Sequence, residues 1–345
     1  MINAGRTVLF IVLAALGLIA FWAIKSHYTK PVPPPLRETV RFAASQALIS
    51  APVVLAQGKG YFDAEGLDVD FMGHYSSGKT AFEAMLRGEA DVSVVATTPV
   101  VVNSFSRDDF FIFVTYTTSY EGVKIIGRRD MGVSSASDLK GKTIGIVPGT
   151  ISQLFLDSVL AYNRILPGEV TMKEVKPEAI PELLKSGVIQ AGSVWEPHAY
   201  NAQQVNKDTS VKIPSFDVYR IAVCLAATRD FAQKHPGVLI KMVKALDKAT
   251  THMRENTEQA QADLVKLLHT DKETLVRLWE EVDFELSLDQ VLLMTMDNEA
   301  IWLMEHHFTN QQKIPDYTHF VYCAPLEAVK PRAVTIVRET YTPQG

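Results

Sequence analysis

A pattern of helix end, apolar strand and turn occurs twice in this chain and constrains its fold more than any other feature. The first copy, LRGEADVSVVATTP, leaves a helix at Gly88 and enters the next at Pro99; the second, LKSGVIQAGSVWEP, does so at Gly187 and Pro197. Glycine suits the position after a helix because it tolerates positive φ, and proline suits a first turn, where no amide partner is needed. The repeat predicts two similar α/β lobes, with a cleft between them lined by strand ends and helix starts.

Length and composition agree with two globular lobes. A chain of 345 residues exceeds one typical core, and 47% apolar with 21% charged residues is ordinary for globular proteins. The net charge of −5 is made of interspersed signs, so no basic surface indicates nucleic acid. Cys224 and Cys323 are too few for a disulfide scaffold and lack metal-ligand spacing, although an oxidising compartment would allow one disulfide.

The N-terminus carries an apolar run. Val8 to Ile24 are 17 apolar residues without interruption, at the short limit of the roughly 17–25 that a spanning helix needs. The run exceeds the roughly 7–15 residues of a signal-peptide core, and no A-x-A cleavage site follows it. We expect residues 1–25 to be an uncleaved membrane anchor, with a cleaved signal peptide as the alternative. Residues 26–38 are predicted to form a proline-rich linker, stiffened by KPVPPP.

Beyond the linker, predicted strands alternate with helices. Val40–Ser45 is a strand, Ser50 is the N-cap of the following helix, and Phe110–Thr118 is a strand leaving the first lobe. Val218–Thr228 is the strand that returns, and the strongly helical segments after it are expected to pack on the first lobe. This order predicts an α/β fold with mainly parallel sheets flanked by helices.

Six segments match the order and spacing of a known family. They are GKGYFDAEGLDVDF, LRGEADVSVVATTP, DLKGKTIGIVPGT, VWEP, HPGVLIKMVKAL and IPDYTHFVYCAPLEAV. Over about residues 38 to 337, the chain resembles the periplasmic solute-binding proteins of ABC importers, in the branch that serves nitrate, alkanesulfonates, taurine and thiamine-precursor pyrimidines. It departs from the family in its anchor-like N-terminus and at Gln190, where an acidic residue is usual. Gln190 corresponds to Asp91 of the first copy, so we expect its role to be structural.

The resemblance implies the type II periplasmic-binding-protein fold, with a double hinge crossing near Thr117 and Val218. The implied parts are lobe 1 at 39–117 plus 218–337, lobe 2 at 118–217 and a C-terminal tail at 338–345. The implied function is capture of a small solute, anionic like sulfonate, nitrate or taurine, by lobe closure outside the cytoplasm. An ABC permease and ATPase are the implied partners of a monomer that needs no metal or cofactor.

Other function classes stay open beside this one. The same family implies a binder of a thiamine-precursor pyrimidine, and the anchor allows a membrane-bound sensing domain. An enzyme is not expected: the related thiamine-pyrimidine synthase relies on a cysteine-rich run that this chain lacks. The chain also lacks a phosphate-binding G-x-x-x-x-G-K-[ST] loop and a G-x-S-x-G nucleophile elbow, and His306-His307 has no E-x-x-H partner. The neighbouring genes would distinguish the two: a permease and an ATPase would indicate transport, and a kinase or cyclase would indicate sensing.

Candidate ligand-binding residues cluster at predicted helix starts, whose free amides and positive dipole end bind anions. Three starts place hydroxyls beside such amides, with Trp195 and Glu196 at a fourth turn. The candidates are Ser50, Ser76, Ser77, Gly78, Thr97, Thr98, Thr118, Gly149, Thr150, Ile151, Trp195 and Glu196.

Each of these candidates also has a plainer interpretation. The hydroxyls can be helix N-caps only, and Trp195 can be a core residue instead of stacking on the ligand's apolar part. Glu196 faces either a ligand amine or the dipole of its own helix. Lys79 is expected in solvent, and His74 is not included among the ligand-binding residues.

Overall fold

The computed structural model describes residues 37–44, 48–72, 75, 77–214 and 219–337, with four isolated positions at 15, 17, 19 and 22. The described residues from Glu38 onward form one compact unit. The predicted anchor, residues 1–25, falls outside the described residues except for the isolated positions, as do most of the linker and the tail at 338–345. None of the helices formed by described residues is long and apolar enough to cross a membrane.

The described residues form two five-stranded sheets. The strands are β1 (Glu38–Ala43), β2 (Leu67–Met72), β3 (Val92–Ala96), β4 (Phe110–Ser119), β5 (Val123–Arg128), β6 (Thr143–Ile146), β7 (Thr171–Glu174), β8 (Ala191–Trp195), β9 (Ser210–Lys212) and β10 (Ile221–Thr228). The first sheet has the order β2-β1-β3-β10-β4 and the second β7-β6-β8-β5-β9. Four strands of each sheet run in the same direction. The fifth strand is antiparallel to them: β10 in the first sheet and β5 in the second. The predicted α/β fold is confirmed, with mixed sheets: the reversed strand is the one that enters from the other lobe.

Helices flank both sheets. They are α1 (Ala51–Gly58), α2 (Tyr61–Ala64), α3 (Gly78–Leu86), α4 (Thr97–Ser104), α5 (Ile151–Tyr162), α6 (Ile180–Lys185), α7 (His198–Val205), α8 (Arg229–Lys234), α9 (Pro236–Glu255), α10 (Thr257–Leu267), α11 (Lys272–Trp279), α12 (Gln290–Glu305) and α13 (Ala324–Val329). Helix α9 packs on α1 and α2, and α12 packs on α4. The C-terminal helices therefore pack on the first lobe, as the sequence predicts, because α9 carries a buried apolar stripe at helical spacing.

The repeated sequence unit is a repeated structural unit. Strands β3 and β8 occupy the central position of their sheets. Gly88 and Gly187, which follow the preceding helices, have φ of 81° and 74°, a conformation that glycine adopts without strain. The two sheets consequently present equivalent strand ends and helix starts to the space between them.

Asp91 and Gln190 confirm the pairing of the two copies. An Asp91 carboxylate oxygen accepts a hydrogen bond from the amide of Arg41 on β1 at 2.9 Å. The Gln190 side-chain oxygen accepts from the amide of Thr143, on the equivalent strand β6, also at 2.9 Å. A neutral amide can replace the acid because this position needs an acceptor for a strand amide, so the role of Gln190 is structural.

The chain crosses between the sheets twice. It leaves the first sheet after Ser119 and enters the second at Val123, then leaves at Lys212 and returns at Ile221. Thr117 lies inside β4, and Val218 lies outside the described residues. Lobe 1 is here the first sheet with its helices, and lobe 2 is the segment that contains β5 to β9. The exact limits of the two lobes remain a proposal.

Candidate ligand-binding site

A cavity of about 220 Å³ lies between the two lobes. Its described lining residues are Ile49, Tyr75, Ser77, Gly78, Lys79, Val94, Ala96, Pro99, Thr150, Ile151, Trp195, Pro197, His198, Ile221 and Val223. Both central strands and the starts of α3, α5 and α7 contribute to it. The repeat predicted this placement, because equivalent strand ends of two facing lobes meet at the same cleft.

The start of α3 forms one wall of the cavity. The Ser77 hydroxyl caps this helix by accepting a hydrogen bond from the Thr80 amide at 3.2 Å. A Cβ atom on Gly78 would lie 3.4 Å from the Val95 Cα, so glycine allows the helix to begin directly against β3. First-turn amides have no acceptor within their own helix. The wall therefore offers backbone donors beside a serine hydroxyl.

The start of α5, in lobe 2, lies across the cavity from the start of α3. Thr150 caps α5 by accepting from the Ser152 amide at 3.2 Å and donates its own hydroxyl to the Val147 carbonyl at 2.8 Å. Gly149 has φ of 64°, and its amide donates to the Gln153 side chain at 3.2 Å. Thr150 and Ile151 line the cavity, whereas Gly149 is not among the lining residues.

Trp195 and His198 give the cavity an aromatic side. Trp195 ends β8, is partly buried, and meets the His198 ring edge-on at 6.3 Å between centroids. Burial lowers the pKa of His198, although Glu178 and Glu196 act to raise it. The imidazole is therefore neutral at neutral pH and offers one donor and one acceptor.

Glu196 does not face the cavity. Its carboxylate accepts from the ammonium of Lys124 at 2.5 Å and from the Tyr200 amide, in the first turn of α7, at 2.8 Å. Of the two interpretations made from sequence, the structure therefore supports the contact with its own helix. A ligand amine would have to displace Lys124 to reach this carboxylate.

The hydroxyls of Thr97 and Thr98 are also directed elsewhere. Both threonines are buried, and each donates to the same Glu299 carboxylate oxygen at 2.8 Å. The Tyr219 hydroxyl donates to that oxygen as well. Glu299 is fully buried on α12, and burial raises its pKa to about 7. Placing these hydroxyls at the cleft from sequence failed because nothing near Thr97 in the chain reveals a distant buried carboxyl group.

Ser50 and Thr118 likewise do not line the cavity. Ser50 occupies the N-cap position of α1, as predicted, but it is fully buried and its side chain makes no capping hydrogen bond. The Thr118 hydroxyl accepts from Arg220 at 3.2 Å and borders a different cavity. Ser76 and His74 lie outside the described residues. Of the predicted residues, Ser77, Gly78, Thr150, Ile151 and Trp195 are brought together at the cavity.

Sequence reasoning missed several lining residues. Ile221 and Val223 come from β10, which joins the cavity only through its place beside β3 in the sheet. Lys79 was expected in solvent; it lines the cavity and also pairs with Glu83 at 3.1 Å. His198 had a usable signal, since it follows the Glu196-Pro197 turn at a helix start.

Comparisons with known proteins agree with this architecture. A model of the family described as NMT1/THI5 like matches residues 49–260. The taurine-binding periplasmic protein of Escherichia coli strain K12 is 25% identical over 244 residues, 68% of each chain. The periplasmic aliphatic sulphonate binding protein SsuA of Escherichia coli superposes with a TM-score of 0.71 at 15% identity, covering 83% of this chain and 97% of that one. The desulfurization enzyme DSZB superposes with a TM-score of 0.65 at 12% identity, covering 86% of this chain and 99% of that one.

Proposed function

The chain belongs to the NMT1/THI5-like family, whose model matches more than half of it, and we propose that it is the extracytoplasmic solute-binding component of an ABC importer. The solute is held in the cavity between the lobes and passed to a membrane permease. The observation that carries this proposal is the cavity itself, walled by helix starts from both lobes. The taurine-binding and sulphonate-binding relatives support a small solute.

The lining favours an anion with an apolar part. The Ser77 hydroxyl and the first-turn amides of α3 and α5 that the caps leave open are donors, and Lys79, which also pairs with Glu83, lines the cavity as a cation. Trp195 and aliphatic side chains supply apolar contact. Among the described lining residues there is no carboxylate, and the nearby Glu196 is bound to Lys124. A sulfonate with an alkyl group fits these contacts better than a zwitterion such as taurine.

Two alternatives remain beside this proposal: a thiamine-precursor pyrimidine as the ligand, and a sensing role. Against an enzyme, both cysteines are buried and do not form a disulfide, and burial raises the pKa of Cys224 to about 12. A thiol in that state is a poor nucleophile.

The proposal includes tethering by an uncleaved N-terminal segment, with a cleaved signal peptide as the alternative. The apolar run Val8–Ile24 and the missing cleavage motif support an anchor. The mass of the mature protein in the membrane fraction decides between the two.

A thermal-shift screen tests the proposed ligand class. Hexanesulfonate, taurine, nitrate, bicarbonate and an aminopyrimidine are compared; a solute at about 100 times its Kd adds about 2.7 kcal/mol to stability. We expect hexanesulfonate to bind, and Trp195→Ala to raise its Kd about 10- to 100-fold by removing apolar contact. Nitrate binding should change little in that variant.

Tyr162→Ala is the matched control for Trp195→Ala, since Tyr162 is a 57% exposed aromatic residue of the same lobe outside the cavity. It should leave every Kd unchanged. Binding of the aminopyrimidine alone would replace the anion proposal by the pyrimidine one, and a screen without any binder would argue against solute capture of these classes.

Removing the hydroxyl of Ser77 should weaken ligand binding, whereas removing the hydroxyl of Thr98 should lower only the stability of the protein. Ser77→Ala takes a donor from the cavity wall and should raise the Kd for the sulfonate about 5- to 100-fold. Thr98→Val removes a hydroxyl that serves Glu299, so it should lower stability by about 1 kcal/mol and leave the Kd unchanged. Calorimetric titration and urea unfolding measure the two quantities.

Thr228→Ala controls for the lost helix cap in Ser77→Ala. Thr228 caps α8 by accepting from the Phe231 amide at 3.2 Å, away from the cavity, so its loss should affect stability only. A larger loss of binding in Thr98→Val than in Ser77→Ala would contradict the assignment of the cavity wall.

A further inference from the structure

A buried lysine joins the two lobes beside the first crossing. Lys124 lies on β5 in lobe 2, and its side chain is 2% exposed. Its ammonium lies 2.5 Å from a carboxylate oxygen of Glu196, in its own lobe, and 2.5 Å from one of Glu281. Glu281 belongs to lobe 1, because its carbonyl accepts from the Ser119 hydroxyl on β4 at 2.6 Å. One buried cation therefore contacts a carboxylate from each lobe.

A second cation joins the lobes from the opposite direction. Arg277 lies on α11 in lobe 1 and pairs with Glu281 at 3.3 Å. Its guanidinium lies 4.3 Å from the ring centroid of Tyr200 on α7 and 3.8 Å from Glu196, both in lobe 2. Two of its nitrogens, Nε and Nη2, have no hydrogen-bond acceptor among the described residues. The aromatic face is thus a main contact of this cation, an arrangement that suits arginine.

The charges remain balanced when the lobes separate. Lys124 and Glu196 would stay together in lobe 2, while Arg277 and Glu281 would stay together in lobe 1. An opening motion therefore breaks three contacts of this cluster between the lobes, Lys124 with Glu281 and Arg277 with Tyr200 and Glu196, without leaving a buried charge alone. Leaving one charge unpaired would cost far more than separating two neutral pairs. The arrangement suits a contact that forms and breaks repeatedly.

We propose that Lys124, Glu196, Tyr200, Arg277 and Glu281 form a clasp that stabilises the closed arrangement of the lobes before any solute binds. Glu196 lies between Trp195 and Pro197, which both line the cavity, so the clasp and the solute act on the same turn. The clasp rests on the two-lobe fold and does not depend on which solute is bound. A separate contact, from the Trp302 indole to Asp157 at 3.0 Å, also joins the lobes, so loss of the clasp shifts the closed population without abolishing it.

The test measures the distance between lobes in the full-length, ligand-free protein. Val188→Cys in lobe 2 and Lys234→Cys in lobe 1 are exposed sites for spin labels, and both native cysteines are buried. Double electron–electron resonance then gives the ratio of open to closed molecules. Arg277→Met and Tyr200→Leu should each raise this ratio about five-fold, the loss expected for one cation–π contact. Where a solute has been found, its dissociation should become faster by a similar factor.

Lys140→Met is the matched control, because Lys140 pairs with Glu169 at 2.6 Å within lobe 2 and is exposed. It should leave the distance distribution as in the wild type. An unchanged distribution in Arg277→Met and Tyr200→Leu overturns the clasp, even if both variants unfold at lower temperature, because that result shows a purely structural role. Since this measurement needs no ligand, its outcome is independent of whether the proposed solute binds.

Discussion

Replacing Lys124 with methionine should lower the free energy of unfolding by about 3–5 kcal/mol, the usual cost of removing one partner from a buried ion pair. Methionine fills a similar volume, but Glu196 and Glu281 then face each other with only Arg277 as a nearby cation among the described residues. Urea unfolding of the ligand-free protein measures the change.

Two comparisons isolate the charge effect at Lys124. Lys140→Met removes an exposed ion pair and should cost less than about 1 kcal/mol. Adding Glu196→Gln to Lys124→Met should recover part of the lost stability, because one of the two facing carboxylates is then neutral. A loss below about 1 kcal/mol in Lys124→Met would show that the lysine is not the element that holds these carboxylates.

Stability should depend on pH through Glu299. Burial raises the pKa of this carboxyl group from 4.5 to about 7 in the folded protein, so folding favours its neutral form. Its contribution is fully present below about pH 4.5 and is lost as the pH rises to about 7, a decrease of about 3 kcal/mol in the free energy of unfolding. Glu299→Gln keeps an oxygen acceptor for Thr97, Thr98 and Tyr219 and should remove this decrease.

The measurement is urea unfolding of wild type and Glu299→Gln between pH 4.5 and 8. Subtracting one profile from the other removes the contribution of the other titrating groups. The free energy of unfolding of Glu299→Gln should increasingly exceed that of the wild type as the pH rises toward 8. Glu305→Gln, an exposed position at the end of the same helix, controls for removing one carboxylate and should keep the wild-type profile. Parallel profiles for wild type and Glu299→Gln would mean that the carboxyl group stays ionised when buried.

The repeated unit made the architecture predictable from sequence. Gly88 and Gly187 mark equivalent helix ends, and Asp91 and Gln190 occupy equivalent places whose contacts the structure confirms. Such features are local: a glycine at positive φ and an apolar strand of fixed length show in a few consecutive residues. The starts of α3 and α5 were predicted in the same way, and Ser77 and Thr150 line the cavity.

Local pattern could not predict the direction of each hydroxyl at the helix starts. Thr97 and Thr98 have the composition of a ligand-binding turn, yet they serve Glu299, a buried residue near the other end of the chain. Glu196 similarly follows a lining tryptophan but is held by Lys124 from β5. Whether a polar group meets a ligand or a buried partner depends on which distant residue shares its space.

The sequence by itself therefore determined the two lobes, the alternation of strands and helices, and the helix starts that face a cleft, because these depend on short-range spacing and backbone preference. Only the tertiary structure decided which donors are free to meet a solute. It placed Ile221 and Val223 on the cavity wall and assembled the clasp of Lys124, Arg277 and their carboxylates. These contacts join residues far apart in the chain, and burial selects them through the free energy of pairing charges away from water.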